Sequence, residues 1–332
     1  MVMSFNKTIN LENITSPILD DLILFQEEFE KAIKSEVRLI DSISKIMIRN
    51  RGKNIRPILT ILTARLCGEP SMGSYRAAAM MELLHLATLI HDDVVDDATL
   101  RRGKPSINMI WRNKLSVLMG DFLLSKALIN MIGLRDFDAL EQISSTAEKL
   151  SAGEILQIEK SFSKSMDEAT YFKMIKQKTA SLIATSCELA AITSTKNKSD
   201  REATRKFGEN FGIAFQIKDD IFYLLGNEKE TGKNGGGDVK KNMITLPLIF
   251  AKTNMSVIEK YHLSSLMRKK KKNKKTIDQI CELVTQAGGV DYAKEKIDEF
   301  SEIAIDSISS YPDSPVKKSL NDLVSFNVFR TK

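Results

Sequence analysis

Apolar positions recur every three or four residues along most of the chain. From Ile18 the series Ile18, Leu22, Phe25, Phe29 and Ile33 is interleaved with Asp20, Asp21, Glu27 and Glu28. That is the period of an amphipathic helix with one buried stripe, and Pro17 suits its first turn, where a missing N–H is no loss. The stretch Tyr75 to Ile90 is rich in Ala, Met and Leu with Glu82 as its only acid, so it reads as a helix buried nearly all round. The same patterning predicts helices over Pro57–Leu66, Lys114–Ile132, Ala139–Phe162, Asp167–Thr193, Arg201–Leu225, Thr276–Gln286 and Ala293–Ser309. Gly288 and Gly289 mark a helix stop, Thr195–Asp200 is a polar break, and Gly226–Asp238 is a longer glycine-rich loop. The sequence holds no strand-period run, heptad array or internal repeat. The expectation is an all-α, single-domain bundle of long helices over residues 1–332.

Composition narrows this further. A length of 332 residues allows one large domain or two ordinary ones. Glycine (16) and proline (7) are scarce, and no proline occurs between Pro105 and Pro247. Proline removes a backbone donor and clashes one turn back, so that gap favours long helices over a turn-rich β sandwich. Apolar residues at 42% and charged residues at 28% are ordinary for a globular protein and exclude disorder or a wholly membrane-embedded chain. Cys67, Cys187 and Cys281 lie far apart, have no metal-ligand spacing and cannot close an intrachain disulfide set, which fits a reducing cytosol. Met1 to Ser16 lacks the apolar stretch of a secretory signal, and no uncharged apolar run approaches the ~18 residues of a membrane span. A soluble, cytoplasmic protein is expected. The net charge of +6 is local, because seven cations sit in Arg268–Lys275, and without them acidic residues slightly outnumber basic ones.

The chemistry concentrates at helix ends. In His91-Asp92-Asp93-Val94-Val95-Asp96-Asp97, Asp92 and Asp96 are i, i+4 neighbours, as are Asp93 and Asp97. Like charges at that spacing destabilise a helix. A cation bridging Asp92 and Asp96 reverses the sign, and hard oxygen ligands that leave room for water and phosphates suit Mg²⁺; the bland alternative is a solvated acidic helix end. Arg101 and Arg102 follow, with forked guanidinium groups suited to phosphate oxygens. A second pair, Asp219-Asp220, ends the apolar stretch Phe211 to Ile217, and Lys53 and Arg56 lie at a predicted helix start, where backbone N–H groups also favour anions. Each of these pairs alone is as well explained by an ordinary salt-bridged helix end.

Taken in order, Gly52-Lys53-Asn54-Ile55-Arg56-Pro57, His85 to Arg102 with Asp-Asp-Val-Val-Asp and Arg-Arg-Gly-Lys-Pro, Gly120-Asp121, Gly153-Glu154, Lys178-Thr179 and Phe215 to Asp220 resemble the trans-isoprenyl diphosphate synthases, the polyprenyl synthetase family, over nearly the whole chain. The resemblance implies an all-α bundle around a deep central cavity, the isoprenoid synthase type I fold, usually as a homodimer. It implies condensation of isopentenyl diphosphate with an allylic diphosphate, head-to-tail and 1′-4, to a linear all-trans product. Asp92 and Asp96 would then bind two Mg²⁺ ions and Asp219 a third. Arg101, Lys178 and Lys233 would hold the allylic diphosphate, and Lys53, Arg56, His85 and Arg102 the isopentenyl diphosphate. Thr179 and Gln216 would offer oxygens to the carbocation; His91 and His262 receive no role.

In this family the residue five before the first motif often forms the cavity floor. Here it is Ala87, beside Thr88, which predicts a product longer than farnesyl, from geranylgeranyl to octaprenyl scale; Phe122, Met119 and Met131 are either lower floors or plain core, and the sequence does not rank them. Two positions depart from the family pattern: Tyr223 stands where a third Asp is usual, and Met243 where a Lys is usual. They leave open a catalytically weakened subunit of a heteromeric synthase. A class I terpene cyclase would share the first aspartate motif but not an isopentenyl diphosphate site, and a head-to-head squalene-type synthase would set its motifs differently. The run Arg268–Lys275 lacks interleaved aromatics, which excludes a nucleic-acid partner. It reads as a solvated inter-helix loop, with a transient membrane-surface contact for product release as the alternative.

Overall fold

The structure, a computed structural model, describes residues 9–50, 52–101, 103–163, 166–225, 243–269 and 271–330. Helices run in the order α1 (Leu11–Thr15), α2 (Leu19–Ile33), α3 (Arg38–Arg49), α4 (Ile55–Cys67), α5 (Met72–Val95), α6 (Ile107–Ile132), α7 (Phe137–Ser163), α8 (Glu168–Ile175), α9 (Ser181–Ser194), α10 (Lys198–Leu225), α11 (Leu246–Asn254), α12 (Val257–Arg268), α13 (Lys274–Gln286), α14 (Gly289–Ser307) and α15 (Pro315–Phe329). Helices α8 and α9 are joined by a π-helical turn, Lys176–Ala180. Between α5 and α6 two short antiparallel strands, β1 (Leu100–Arg101) and β2 (Lys104–Pro105), pair Leu100 with Pro105 and Arg101 with Lys104. Periodicity could not show them, since two residues span a single repeat of the strand period.

Caps explain most starts. Asn10, Ser106, Asp167, Asn273 and Ser314 each accept a backbone N–H from the residue three further on, satisfying a donor the helix leaves over. Pro315 then occupies the first position of α15. The all-round burial expected of the central helix is realised in α5, from Tyr75 through Ile90, and α5 lies against α2, α4, α6 and α9. The helix predicted from Lys114 begins earlier, at Ile107, but is broken at Arg112 (φ 66°, ψ 170°), so Lys114 marks the start of its second, longer part. The single helix predicted over Asp167–Thr193 is interrupted by the π turn. Gly288, at φ 78°, separates α13 from α14 as the predicted stop. Gly226–Asp238 lies outside the described residues.

Among the described residues, three buried clusters hold the bundle. One joins α2, α4, α5, α6, α10 and α15 through Phe25, Phe29, Leu59, Leu62, Phe207, Phe211 and Leu323. A second joins α8, α10, α11, α13 and α14 around Tyr171, Ile217, Leu246, Ile280 and Ile297. The third, with Met80, Met81, Leu84, Met131, Leu150, Leu182 and Leu189, ties α5 to α6, α7 and α9. Each such side chain is worth roughly 1.5–3 kcal/mol on burial. Helix α10 approaches the π turn closely because Gly212 has no side chain; a Cβ there would lie 2.7 Å from the Ala180 Cα. Helix α6 has the length and apolar character of a membrane-crossing segment, but one side of it packs along α5.

Candidate active site

A cavity of about 1560 Å³ opens among α4, α5, α7, the π turn, α10 and α15. Of the residues singled out in the sequence, Lys53, Arg56, His85, Asp92, Asp96, Arg101, Lys178, Thr179, Gln216 and Asp219 all line it. Arg102 and Lys233 lie outside the described residues. The helical spacing of α5 sets His85, Thr88, Leu89 and Asp92 on one face, and Asp96 caps the same helix, its N–H bonded 2.8 Å to the Asp92 carbonyl.

Asp92 is desolvated at the end of α5. Burial pushes its carboxyl up to about 6; Glu154 and Asp96 push the same way, while Lys178 and Arg101 pull against them. A desolvated carboxylate beside other carboxylates is stabilised by a hard cation. Among the described residues no three His, Cys, Asp or Glu side chains converge on one point. Asp93 has a different task. It is 4% exposed and accepts from Arg101 Nε at 3.0 Å, which fixes the hairpin arginine against the end of α5.

The π turn aims two side chains into the cavity. Such single turns are common at functional sites because they rotate a residue off the regular face. Lys178 pairs with Glu154 of α7 and donates to Gln157 Oε1 at 3.1 Å. Gly153 lets α7 come this near, since a Cβ there would meet the Lys178 backbone N at 2.9 Å.

Next to Lys178, the Thr179 hydroxyl donates to Gln216 Oε1 at 2.6 Å, Gln216 Nε2 donates to Asp220 Oδ1 at 2.8 Å, and the Tyr171 hydroxyl donates to Asp220 Oδ2 at 2.7 Å. An ionised carboxylate only accepts, so Asp220 takes the amide NH₂ and thereby turns the Gln216 carbonyl toward Thr179. Both oxygens keep a lone pair for the cavity.

Sequence reasoning missed Arg330. It donates to Asp219 Oδ1 at 2.5 Å and to the Phe215 carbonyl at 3.1 Å, and its guanidinium stacks 4.1 Å over the Phe215 ring. Burial lowers the Lys53 pKa and Arg330 adds to the effect, with Asp219 opposing; the Lys53 ammonium also lies 5.1 Å over Phe326. The available signal was the apolar stripe of α15, which carries the chain back to the cavity mouth. His91, given no role, lies 3.3 Å from Asp121 Oδ1. Tyr223 and Met243, the two departures, are both on the cavity wall. The floor expectation needs correction. Ala87 is packed in the main core, as is Met119, Met131 belongs to the third cluster, and none of these or Phe122 lines the cavity; Thr88 does, with Leu150, Leu182, Ile183 and Phe211.

The Polyprenyl synthetase family matches residues 37–284. This chain belongs to the polyprenyl synthetase family. It is 34% identical over 315 residues to an all-trans-nonaprenyl-diphosphate synthase (geranyl-diphosphate specific) of Rhodobacter capsulatus, across 94% of this chain and 95% of that one. It is 30% identical to heptaprenyl diphosphate synthase component 2 of Bacillus subtilis, across 92% and 87%. A polyprenyl synthase of Caulobacter crescentus, solved with calcium and isoprenyl diphosphate, superposes with a TM-score of 0.92 at 29% identity, covering 98% of this chain and all of that one. The synthase fold is therefore the all-α isoprenoid type, and the chain is a trans-prenyltransferase whose product is longer than farnesyl.

Proposed function

We propose that this synthase, as one domain over residues 1–332, condenses isopentenyl diphosphate with an allylic diphosphate, head-to-tail, using Mg²⁺. The observation that carries the reading is the meeting of two carboxylate-bearing helix ends, Asp92–Asp96 and Asp219, with Lys53, Arg56, Arg101 and Lys178 around one cavity whose far wall is apolar. Asp92, Asp96 and Asp219 would hold the metal, three ions in all with diphosphate bound. Bound Mg²⁺ supplies Lewis-acid stabilisation of charge on the leaving diphosphate. Lys178 and Arg101, together with Lys233, grip the allylic diphosphate. Lys53, Arg56 and His85, together with Arg102, hold isopentenyl diphosphate so that its double bond lies beside the allylic carbon, and proximity of this kind lowers the barrier substantially. Thr179 and Gln216 turn their oxygens toward positive charge developing on that carbon, in a pocket from which apolar walls exclude water. The growing tail runs toward Leu150 and Leu182, the cavity-facing members of the third cluster.

A homodimer is supported by α6, where Val117, Leu118, Ile129 and Ile132 are exposed on one face. Cytoplasmic residence is supported by the three free cysteines. A water-insoluble product also requires a membrane surface at release. The second reading, a subunit of a heteromeric synthase, is favoured by the Bacillus relative and by Tyr223 and Met243 on the wall. One incubation tests both: purified protein with Mg²⁺, isopentenyl diphosphate and farnesyl diphosphate, followed by product chromatography. Elongation by this chain alone supports the first reading. Elongation only after a second component is added supports the other, and none in either case refutes the synthase reading.

A further inference from the structure

Away from the cavity, α12 presents an apolar face that the fold does not cover. Val257, Ile258 and Tyr261 are 83%, 82% and 76% exposed, while Leu263 and Leu266 of the same helix are buried. Val257, Tyr261, Ser265 and Arg268 follow one another at intervals of four, four and three, so they share the outward face, with Ile258 beside it. Ser256 and Glu259 close a capping box at the start of the helix, which holds its first turn, and the apolar residues on it, in place.

The basic run continues from the same helix. Arg268, Lys269, Lys271, Lys274 and Lys275 are all exposed. Arg268 and Lys269 suit the negative end of α12, but Lys274 and Lys275 open α13, where cations oppose the helix dipole. Helix stability therefore does not account for them. Exposed aliphatic and aromatic side chains adjoining a dense set of cations complement one kind of surface, an anionic bilayer, with apolar groups entering the acyl boundary and cations meeting lipid phosphates. A nucleic acid would match the cations alone, leaving Val257 and Ile258 in water.

We propose that α12 and the basic segment after it dock the protein on an anionic phospholipid surface. The purpose rests on the long-chain reading above, since a polyprenyl product has to reach a bilayer. Helix α11 alone, about 14 Å long, connects Thr245 on the cavity wall to this face.

The test uses the full chain and no substrate. Flotation is measured with vesicles of phosphatidylcholine and of phosphatidylcholine mixed with phosphatidylglycerol, at low and high salt. Binding is expected on the mixed vesicles and should fall steeply with salt. At roughly fivefold per cation near the surface, replacing Lys269, Lys271, Lys274 and Lys275 by Gln should weaken it by about several hundredfold at low salt. The combined Val257→Ser, Ile258→Ser and Tyr261→Ser variant should lose several-fold at either salt. Both variants change exposed side chains, and unaltered circular dichroism and melting confirm their folding. Equal flotation with neutral and anionic vesicles overturns the proposal, as do variants that float like wild type, or retention on an oligonucleotide with no vesicle binding. Failure of the elongation assay with intact flotation sinks the synthase reading and leaves the docking surface standing; the converse sinks only the docking surface.

Discussion

Replacing Gly153 by Ala tests whether the π turn sets the geometry of catalysis. The added Cβ would lie 2.9 Å from the Lys178 backbone N, 3.0 Å from the Gln177 Cβ and 3.2 Å from the Lys178 Cβ. The nearest contact is backbone, which cannot rotate away, so either α7 retreats or the turn moves. Overpacking of this kind costs about 1–3 kcal/mol, and at about 2 °C per kcal/mol for a chain of this size the melting point should fall by a few degrees. The effect on rate should be larger. Lys178 and Thr179 ride on the turn, and the Thr179–Gln216 contact of 2.6 Å has little slack. A misplacement on the order of 1 Å can cost ~100-fold in rate. Turnover with isopentenyl and farnesyl diphosphates and a thermal melt, taken on one preparation, give both numbers. A variant with wild-type rate and melting point would show that α7 and the turn are not in close contact. One that melts earlier yet turns over normally would show that the turn does not position Lys178 and Thr179.

The remaining predictions concern single side chains. Asp220→Asn can offer its own NH₂ to Gln216 and so permits the reversed amide; kcat should drop about 10-fold or more with folding intact, and an unchanged kcat would rule out Asp220 as the group that orients Gln216. Arg330→Gln removes the cation on Asp219, a charge-assisted contact of about 1.5–3 kcal/mol, so Mn²⁺ affinity measured without diphosphate should rise by ~10-fold or more; no change would mean Arg330 and metal do not compete. Thr88→Phe places a ring on the cavity wall and should shorten the product, whereas Ala87→Phe overpacks the core and should chiefly lower the melting point; a shorter product from Ala87→Phe with unchanged stability would restore Ala87 as the floor. Arg112 is exposed at φ 66°, ψ 170°, a region essentially confined to glycine and costing other residues about 1–3 kcal/mol. Arg112→Gly should therefore melt higher than Arg112→Ala, the reverse of the usual order in helices, and the usual order would remove the strain.

What was legible in the sequence follows from range. Helices with their own amphipathic period, such as α2, α7 and α10, were found to within a few residues, because burial of one stripe is a local property of the pattern. The breaks at Arg112 and Lys176–Ala180 were invisible, since each inserts one irregular turn into an apolar stretch that continues on both sides. Among site residues, the charges were conspicuous and their partners were not. Lys178 was singled out, but its link to Glu154 and Gln157 depends on how α7 crosses the turn. Asp219 was singled out, while Arg330 reaches it from 111 residues away. Ala87 shows the opposite error: position relative to a motif was used as a substitute for direction, and the side chain one residue on, Thr88, is the one facing the cavity.

Those partners also explain how so many like charges coexist around one cavity in the absence of ligand. Arg101 is held by Asp93, Lys178 by Glu154 and Gln157, and Arg330 by Asp219. Burying any of these ions alone would be strongly destabilising. On the reading proposed above, diphosphate binding would be an exchange of partners rather than the first neutralisation of bare cations, which would lower the net gain from each new contact. Asp92 is the exception. Burial, Glu154 and Asp96 all work against its charged form, and only Lys178 and Arg101 favour it. On the reading proposed above, turning those two cations toward a substrate phosphate would take from the Asp92 carboxylate what stabilises it, and a divalent ion would be the natural replacement. Metal and diphosphate should for that reason bind as a unit, each removing the electrostatic cost that the other creates at Asp92.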